Sequence, residues 1–348
     1  MKRLLYNLAT DRYQGVLAFV LKIPLLLLSF AYGALIRGLI FFYSFRLRKL
    51  SCKVISIGNI TVGGTGKTSL VEFVARLLRG KGHKVAILSR GYKKLEASMG
   101  DEPFMLLKNL GDIPVIVDKD RVRGAQRALE EYGADTVILD DGMQQWRIKK
   151  DLEVVTVSAA QWFGNRHMLP RGILREPLSS LKRADIFVLT KTNLANNIND
   201  VKSSLNKFNP GALVSESVHE AAGLYDINEP GKLLSLSQLK GKSAVLFSGI
   251  GDPYSFTKLI SGSGIKVGLD LRFADHHNYS VEDLSGIIGR CIEKKSEVII
   301  TTEKDASRLS DEKLAIFKGH RLLVLRIELK IIKNEEKFIS RLLGLYSL

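Results

Sequence analysis

Short apolar runs that alternate with amphipathic segments dominate the chain between residues 53 and 193. The apolar runs predict buried strands at 53–60, 84–91, 113–118, 134–142, 152–159 and 184–193. The segments 67–82 and 121–133 repeat apolar residues at helical spacing and predict amphipathic helices. Strands that alternate with helices indicate an α/β fold whose parallel sheet is flanked by helices on both faces.

The pattern loosens beyond residue 205 and then resumes. Residues 206–232 carry scattered Pro, Gly and polar residues, and they are expected to form a linker with short extended segments. A second set of apolar runs follows at 243–251, 266–273, 296–305 and 321–331. We therefore predict an α/β domain over 51–205, a smaller α/β domain over 233–334, and a C-terminal helix over 335–348.

The amino-terminal segment, residues 1–50, is apolar and basic. It carries eight Lys or Arg residues against the single acid Asp11. Fourteen uncharged residues, 23–36, are followed by Arg37. A helix that crosses a bilayer needs about 20 apolar residues, so Arg37 interrupts this run before it is long enough. A pair of buried core helices is one interpretation. A membrane-associated helix whose basic flanks face anionic lipid headgroups is favoured, and spanning and flat-lying arrangements both stay open.

Composition narrows the class of protein and of partner. A hydrophobic content of 45% and a charged content of 25% are those of a globular protein. The net charge of +16 favours an anionic partner such as nucleic acid, a phospholipid surface or a phosphorylated substrate. Cys52 and Cys291 are the only cysteines, which argues against a disulfide framework or a zinc site.

The stretch "TVGGTGKT" resembles a phosphate-binding loop with Thr in place of its first glycine. It follows a predicted strand and opens a predicted helix, which is the context that gives the motif meaning. Backbone N–H groups of such a loop surround phosphate oxygens, the lysine bridges the β- and γ-phosphates, and the threonine hydroxyl ligates Mg²⁺. The predicted nucleotide-binding residues are Thr61, Val62, Gly63, Gly64, Thr65, Gly66, Lys67 and Thr68.

A second magnesium ligand is expected at the end of a neighbouring strand. The run "TVILDDG" ends in Asp140 and Asp141, and one of these carboxylates should hold Mg²⁺ directly or through water. The sequence thus predicts a site for a magnesium–nucleoside triphosphate, with Thr68, Asp140 and Asp141 as candidate metal ligands.

Three classes of nucleotide-binding protein compete at this point. A GTPase would place a carboxylate where "TKTN" has Asn193, which weakens a GTP site without excluding it. A partitioning ATPase of the deviant phosphate-loop kind would carry a second lysine where Val62 stands. A kinase needs neither residue, but it must bring an acceptor hydroxyl and a base to the γ-phosphate.

Several further motifs together resemble the tetraacyldisaccharide 4′-kinase family, the lipid A 4′-kinases. They are "VISIGNITVGGTGKT", "LSRGY", "GDEP", "VILDDGMQ", "LPRGILREPLSSLKRAD", "FSGIGDPYSF", "DHHNY" and "TTEKDASRL". The resemblance implies two unequal α/β/α domains and an N-terminal membrane-associating helix. It also implies transfer of the γ-phosphate of ATP, with Mg²⁺, to the 4′-hydroxyl of a lipid-linked disaccharide monophosphate. The expected location is the cytoplasmic face of the inner membrane, against anionic lipid and with no nucleic-acid partner.

The resemblance also assigns roles to individual residues. Asp101 in "GDEP" and His276 in "DHH" match the family's catalytic pair, which activates the sugar hydroxyl, and Lys67 completes the catalytic set. The residues at the remaining motif positions are expected to contact the substrate, with the arginines suited to bidentate phosphate contacts. They are Glu102, Arg121, Arg175 and Glu176.

Two positions depart from the family pattern. The family usually reads D-D-G-F-Q-H, whereas this chain has Met143 and Gln145 at the aromatic and histidine positions. A glutamine can form hydrogen bonds but cannot take up a proton at neutral pH, so any role of that histidine is in question here. Ser69 stands where proline is usual, with little expected consequence. The alternative function is a membrane-associated phosphate-loop ATPase that couples hydrolysis to a protein partner.

Overall fold

A computed structural model describes residues 2–90, 101–195 and 197–347, without the side chains of residues 2–5, 101 and 102. The chain divides into two compact units. The first unit comprises residues 1–90, 110–218 and 331–348, and the second comprises residues 91–109 and 219–330. Each unit contains segments that are distant in sequence.

Helices and strands alternate along most of the chain. The helices are α1 (Lys2–Ala9), α2 (Val16–Ser44), α3 (Lys67–Gly80), α4 (Asp101–Leu110), α5 (Arg121–Tyr132), α6 (Ile198–Phe208), α7 (Pro253–Gly262), α8 (Val281–Glu293), α9 (Glu303–Ala306), α10 (Asp311–Leu314) and α11 (Glu335–Leu343). The strands are β1 (Lys53–Gly58), β2 (Val85–Ser89), β3 (Val115–Val117), β4 (Thr136–Asp140), β5 (Leu152–Ser158), β6 (Ile186–Thr190), β7 (Leu213–Asp226), β8 (Leu233–Leu234), β9 (Ser243–Ser248), β10 (Lys266–Arg272), β11 (Val298–Thr302) and β12 (Leu322–Lys333).

The first unit is built on a parallel sheet with the strand order β3-β2-β4-β1-β5-β6-β7. Each adjacent pair in this order is parallel. Strands β2, β4, β5 and β6 are buried along their whole length, as their continuous apolar sequences require for a sheet covered on both faces. The α/β fold class predicted from the sequence is confirmed.

The strand order places β1 between β4 and β5, so the carboxyl ends of these strands lie side by side. Strand β1 runs directly into the glycine-rich loop, and β4 ends at Asp140. In open parallel sheets, ligands bind in the crevice outside the carboxyl ends of such strands. This edge of the first unit is therefore the expected position of a binding site.

The second unit contributes four parallel strands, in the order β10-β9-β11-β12. One apolar cluster buries α7 residues Phe256 and Ile260 against strand residues such as Leu246. A second cluster includes Leu284 and Ile287 of α8. The strands predicted in this part of the sequence are confirmed, with ends that differ by a few residues.

The predicted linker over 206–232 is wrong, because most of it forms regular structure. Helix α6 continues to Phe208, and residues 213–226 form β7. Strand β7 pairs in parallel with β6 over residues 213–216 and antiparallel with β8 near residue 224. Its sequence is polar, yet half of its residues are buried, including Ser215, Glu216 and Ser217. The predicted C-terminal helix is confirmed as α11, which belongs to the first unit.

Helix α2 is the only helix among the described residues that is long and apolar enough to cross a membrane by length and composition. Its buried residues are few and form one narrow stripe: Ala18, Ser29, Gly33 and Ile36. Large apolar side chains on the rest of its surface are exposed, including Phe19, Leu27, Phe30 and Phe41. The interpretation of this segment as a pair of buried core helices is therefore wrong.

Candidate active site

The glycine-rich loop connects β1 to α3 and has the backbone shape of a phosphate cradle. Gly63 and Gly66 adopt φ values of 121° and 78°, a region that side chains disfavour, and Gly66 is the N-cap of α3. A Cβ atom added to Gly64 would meet nothing within 4 Å, so open space lies beside this backbone. The loop thus offers backbone N–H groups and a helix N-terminus to an anion.

Neighbouring strands hold the loop in place. The Thr65 side chain is buried and shares a 2.8 Å hydrogen bond with Thr156 of β5. The Thr190 hydroxyl, at the end of β6, donates to the Thr65 carbonyl at 2.9 Å, and Lys191 Nζ donates to the Gly64 carbonyl at 3.2 Å. These contacts turn carbonyl groups of the loop towards the sheet.

Three charged side chains meet beside the loop. Arg175 donates from Nη1 to Asp141 Oδ2 and from Nη2 to Asp141 Oδ1, both at 2.8 Å. Lys67 Nζ lies 3.5 Å from the same Oδ1 and donates to Asn59 Oδ1 at 3.1 Å. Arg175 Nη2 also donates to the Asn59 backbone carbonyl at 2.8 Å. Two cations are thereby held by one carboxylate and one amide at the mouth of the cradle.

Asp141 is fixed in its ionised form by these neighbours. Burial opposes ionisation, but hydrogen bonds from Arg175 and the positive charge of Lys67 outweigh burial and lower the pKa of Asp141 to about 2. Its φ of 54° is left-handed, a conformation that aspartate tolerates better than most residues. This backbone turn follows directly after β4 and brings the carboxylate to Arg175.

The predicted metal ligands have the chemistry that magnesium prefers. Thr68 offers a hydroxyl, and Asp140 and Asp141 offer carboxylates, all of them hard oxygen donors. Asp140 is 4% exposed, and its Oδ2 lies 3.5 Å from Ser89 Oγ. Within the described ranges, no three His, Cys, Asp or Glu side chains form a metal-binding group. A magnesium ion here would depend on nucleotide phosphates and water for its remaining ligands, as Mg²⁺ commonly does.

Arg121, the first residue of α5, is a buried cation near these carboxylates. It is 3% exposed, and it donates from Nη1 to the Asp118 carbonyl. Burial lowers the pKa of its guanidinium to about 10, while the charges of Asp140 and Asp141 act in the opposite direction. Arg121 is therefore a positive charge held inside the first unit close to Asp140 and Asp141.

Glu176 does not fit its predicted contact with substrate. Its side chain is fully buried, and its carboxylate accepts hydrogen bonds from Gln144 at 2.9 Å, Trp146 at 3.1 Å and Arg183 at 2.7 Å. A carboxylate saturated in this way cannot reach a sugar in this conformation. We correct its role to that of a buried anchor for the segment that carries Arg175.

His276 belongs to the second unit, where an arginine holds its ring. Arg308 Nη2 lies 3.4 Å from His276 Nδ1, and Arg308 Nη1 donates to Asp305 Oδ1 at 2.9 Å. The His276 amide and Arg308 Nη1 both donate to the Gly249 carbonyl, at 3.0 Å and 2.8 Å. His276 has a left-handed φ of 60° and a side chain that is 55% exposed. The imidazole is thus presented to solvent from a fixed backbone.

Asp305 is the buried centre of that arrangement. Its side chain is fully buried, and its Oδ1 accepts from the Gly249 amide at 2.9 Å and from the Tyr279 hydroxyl at 2.8 Å. Its Oδ2 accepts from the Thr302 hydroxyl at 2.6 Å. Burial first, and then the Asp305 charge, raise the pKa of Tyr279 far above its usual value, which keeps this hydroxyl a donor. Three motifs, "FSGIGD", "DHHNY" and "TTEKDASRL", therefore meet at one carboxylate.

Asp101 and Glu102 are the remaining predicted residues. Helix α4 begins at Asp101, but both side chains lie outside the described residues. Further along α4, Asn109 Nδ2 lies 3.5 Å from Glu303 Oε2, and Lys108 packs over the Tyr225 ring. The helix is therefore fastened within the second unit, the unit that also contains His276.

Comparisons with known proteins match this arrangement to one family. The family model described as tetraacyldisaccharide-1-P 4′-kinase matches residues 21–346. A tetraacyldisaccharide 4′-kinase from Halothermothrix orenii is 34% identical over 313 residues, which cover 81% of each chain. One from Syntrophus aciditrophicus is 35% identical over 329 residues, which cover 86% of this chain and 87% of the relative.

A solved structure points the same way. The crystal structure of LpxK from Aquifex aeolicus in complex with ATP superposes with a TM-score of 0.72 at 28% identity, covering 94% of this chain and 100% of that chain. This chain belongs to the tetraacyldisaccharide 4′-kinase family. The resemblance inferred from the sequence motifs is confirmed.

Two residues of this tetraacyldisaccharide 4′-kinase family member were not predicted as site residues. Asn59 contacts both Lys67 and Arg175. The sequence feature that could have identified it is its place as a polar residue directly after an apolar strand and before the phosphate loop. Arg308 contacts His276 from 32 residues away. It lies in the quoted motif "TTEKDASRL", but nothing in the sequence pairs it with the histidine.

Proposed function

We propose that this chain transfers the γ-phosphate of ATP to the 4′-hydroxyl of a tetraacyldisaccharide 1-phosphate. Family membership supports the reaction. The observation that carries the proposal for this chain is the meeting of Lys67, Asp141 and Arg175 beside a glycine loop. Such a site positions phosphates and stabilises charge on the transferred group, which is most of what phosphoryl transfer requires.

The nucleotide side of the reaction is assigned to the first unit. The loop residues 61–68 would surround the β- and γ-phosphates, with Lys67 bridging them. Thr68 and Asp140 would hold magnesium, which, when bound, neutralises charge on the phosphates. Asp141 would act mainly through Arg175, because its carboxylate already receives both terminal nitrogens of that arginine. Arg175 and Arg121 are assigned to the transferring phosphate.

The acceptor side is assigned to residues of the second unit. An arginine donor at His276 Nδ1 requires that this nitrogen be unprotonated, so the neutral ring carries its proton on Nε2. The family resemblance pairs this ring with Asp101, and the two residues together are assigned to activation of the 4′-hydroxyl. Asp101 would accept the proton of the 4′-hydroxyl as its oxygen bonds to the γ-phosphorus and the bond to the ADP oxygen breaks.

Membrane association is assigned to α2. Its exposed residues include Val16 at 83% and Phe30 at 67%, and Phe45, directly after its last residue, is 74% exposed, whereas the stripe around Ser29 and Gly33 packs on the first unit. A helix that is attached along its middle in this way would lie flat in the interface rather than cross the bilayer. Basic residues of segment 1–50 would face anionic lipid on the cytoplasmic side of the inner membrane.

A transfer assay tests the proposal. Purified protein is incubated with γ-labelled ATP, Mg²⁺ and a tetraacyldisaccharide 1-phosphate, and the new phosphate is located on the sugar. Label on the 4′-oxygen is the expected result. ATP turnover that is indifferent to the lipid would contradict the proposal and favour an ATPase that acts on a protein partner.

A further inference from the structure

Two hydroxyl groups on the apolar helix α2 reach the segment that carries Arg175. We call residues 168–175 the arginine segment. All of its contacts described below lie within the first unit. Ser29 and Tyr32 carry hydroxyl groups in a helix whose exposed surface is mainly apolar, and neither was predicted to have a role.

The Ser29 hydroxyl both accepts a hydrogen bond from the start of the arginine segment and donates one to it. The Arg171 amide donates to Ser29 Oγ at 2.9 Å, and Ser29 Oγ donates to the Met168 carbonyl at 2.8 Å. Its hydrogen is shared with the Leu25 carbonyl, at 2.9 Å, as is common for serine within a helix. Ser29 is 6% exposed, so water does not compete strongly for these bonds.

Tyr32 binds the other end of the segment. Its hydroxyl donates to the Arg175 carbonyl at 3.1 Å. Apolar packing reinforces both polar contacts, because Ile36 of α2 shares a buried cluster with Met168 and Leu174, and Tyr32 packs against that cluster. Helix α2 thus holds the segment at Met168, Arg171 and Arg175.

The opposite edge of the arginine segment pairs with the entrance to the phosphate loop. The Arg175 amide donates to the Ile60 carbonyl at 2.7 Å, and the Val62 amide donates to the Ile173 carbonyl at 2.8 Å. Thr61 and Leu174 form an antiparallel bridge between these bonds. The segment therefore lies between α2 and the nucleotide site, bonded to both.

We infer that Ser29 and Tyr32 are positioning residues of the nucleotide site. They set the backbone of the arginine segment, and that backbone sets the Arg175 guanidinium against Asp141 and Asn59. The helix that carries the lipid-facing surface thereby also determines the geometry of phosphate binding. This inference rests on the proposed function only in that the loop must bind ATP.

The test compares Ser29→Ala, Tyr32→Phe and the double variant with the wild-type protein. Binding of a non-hydrolysable ATP analogue with Mg²⁺ is measured without any lipid acceptor, so that acceptor binding plays no part. Loss of these hydrogen bonds should weaken analogue binding roughly three- to tenfold in the double variant. The KM for ATP should rise by a similar factor, and binding to anionic vesicles should be unchanged, because both hydroxyls face the protein.

Hydrogen exchange provides a readout that does not depend on nucleotide. The Arg171 amide loses its acceptor in Ser29→Ala, so peptides that cover the arginine segment should exchange faster than in wild type. Matched controls are Ser44→Ala, whose hydroxyl bonds only within α2 at the Phe41 carbonyl among described residues, and Tyr43→Phe. Both controls should leave analogue binding and exchange unchanged.

The possible outcomes separate this inference from the proposed function. Unchanged analogue affinity and unchanged exchange in the folded double variant would overturn the inference. A wild-type protein that fails to bind the analogue would instead contradict the proposed nucleotide site. If the double variant does not fold, the single conservative change Tyr32→Phe decides, by the same two measurements.

Discussion

Arg175 and Asp141 form a bidentate ion pair, with two N–O distances of 2.8 Å, at the mouth of the phosphate loop. The pair is fixed on both sides, because Asp141 follows β4 in a left-handed turn and Arg175 also binds the Asn59 carbonyl. A planar guanidinium held by a carboxylate keeps its remaining donors in a defined direction. This pre-organisation is what a site for phosphoryl transfer needs.

Replacing Arg175 with Lys tests the importance of that planar contact. A lysine keeps the charge but cannot bind both oxygens of Asp141 and Asn59 together, so we expect phosphoryl transfer to fall by about tenfold or more. Transfer rates at saturating and limiting ATP are the measurement. Arg166→Lys, at an exposed arginine of the preceding loop, is the control and should retain wild-type rates.

Lys67→Ala should abolish measurable transfer. The ammonium group is the only part of the loop motif expected to bridge the β- and γ-phosphates, and loss of such a charge costs at least about a hundredfold. Vesicle binding should be retained, because α2 is intact. The control is Lys81→Ala, at the exposed C-cap of α3. Near-normal turnover by Lys67→Ala would place the active site elsewhere.

Arg308→Lys should separate acceptor activation from nucleotide binding. The lysine keeps a positive charge for the buried Asp305 but loses the second donor that reaches His276 Nδ1. We expect kcat to fall by about tenfold with the KM for ATP unchanged, because the nucleotide residues lie in the first unit. Arg290→Lys, on the exposed surface of α8, is the control. An unchanged kcat, or an equal effect on ATP affinity, would argue against a positioning role for Arg308.

The attachment of the N-terminal segment should depend on pH through Asp11. Burial acts to raise its pKa, but hydrogen bonds from Lys22, Asn165 and Arg171 outweigh burial and lower the pKa from 3.8 to about 2. A carboxylate with a depressed folded-state pKa stabilises the fold above its unfolded pKa, and this contribution is lost as the pH falls. At neutral pH, it should be no more than about 1 kcal/mol, because Asp11 is partly exposed and screened by solvent.

Unfolding measurements on Asp11→Asn test this dependence. The stability difference between wild type and variant should be largest above about pH 5 and should disappear between pH 4 and pH 2. The control is Glu229→Gln, at an exposed turn of the second unit, for which no such contacts are described. A difference that does not change over this range would mean that Asp11 does not act as an ionised acceptor.

The sequence predicted the first unit well because its strands are long apolar runs that end in recognisable chemistry. The loop at 61–68 and the acidic pair at 140 and 141 each follow a buried strand, and parallel strands bring their carboxyl ends to one edge. Strand β7 was not predicted because it contains Ser215, Glu216 and Ser217, and the burial of these polar residues depends on partners elsewhere in the chain. The Lys202 side chain, for instance, pairs with Glu216.

Long-range contacts are the part of the site that the sequence could not supply. Tyr32 and Arg175 are 143 residues apart, and Ser29 and Met168 are 139 residues apart. Helix α2 is apolar almost all round, so its sequence pattern indicates neither its buried face nor the loop that covers that face. The burial of Glu176 could not be predicted either, because it also depends on residues elsewhere in the chain. Its carboxylate is enclosed by Gln144, Trp146 and Arg183, whereas the adjacent Arg175 side chain points to the nucleotide side.

The outward-facing aromatic and aliphatic side chains of α2 have a practical consequence for handling the protein. Phe19, Phe30 and Phe41 are each more than 65% exposed. In plain buffer, such a surface is covered only by other copies of the chain. Detergent or a bicelle that shields these rings during purification should keep the enzyme monodisperse, and the choice of amphiphile becomes part of the assay chemistry itself.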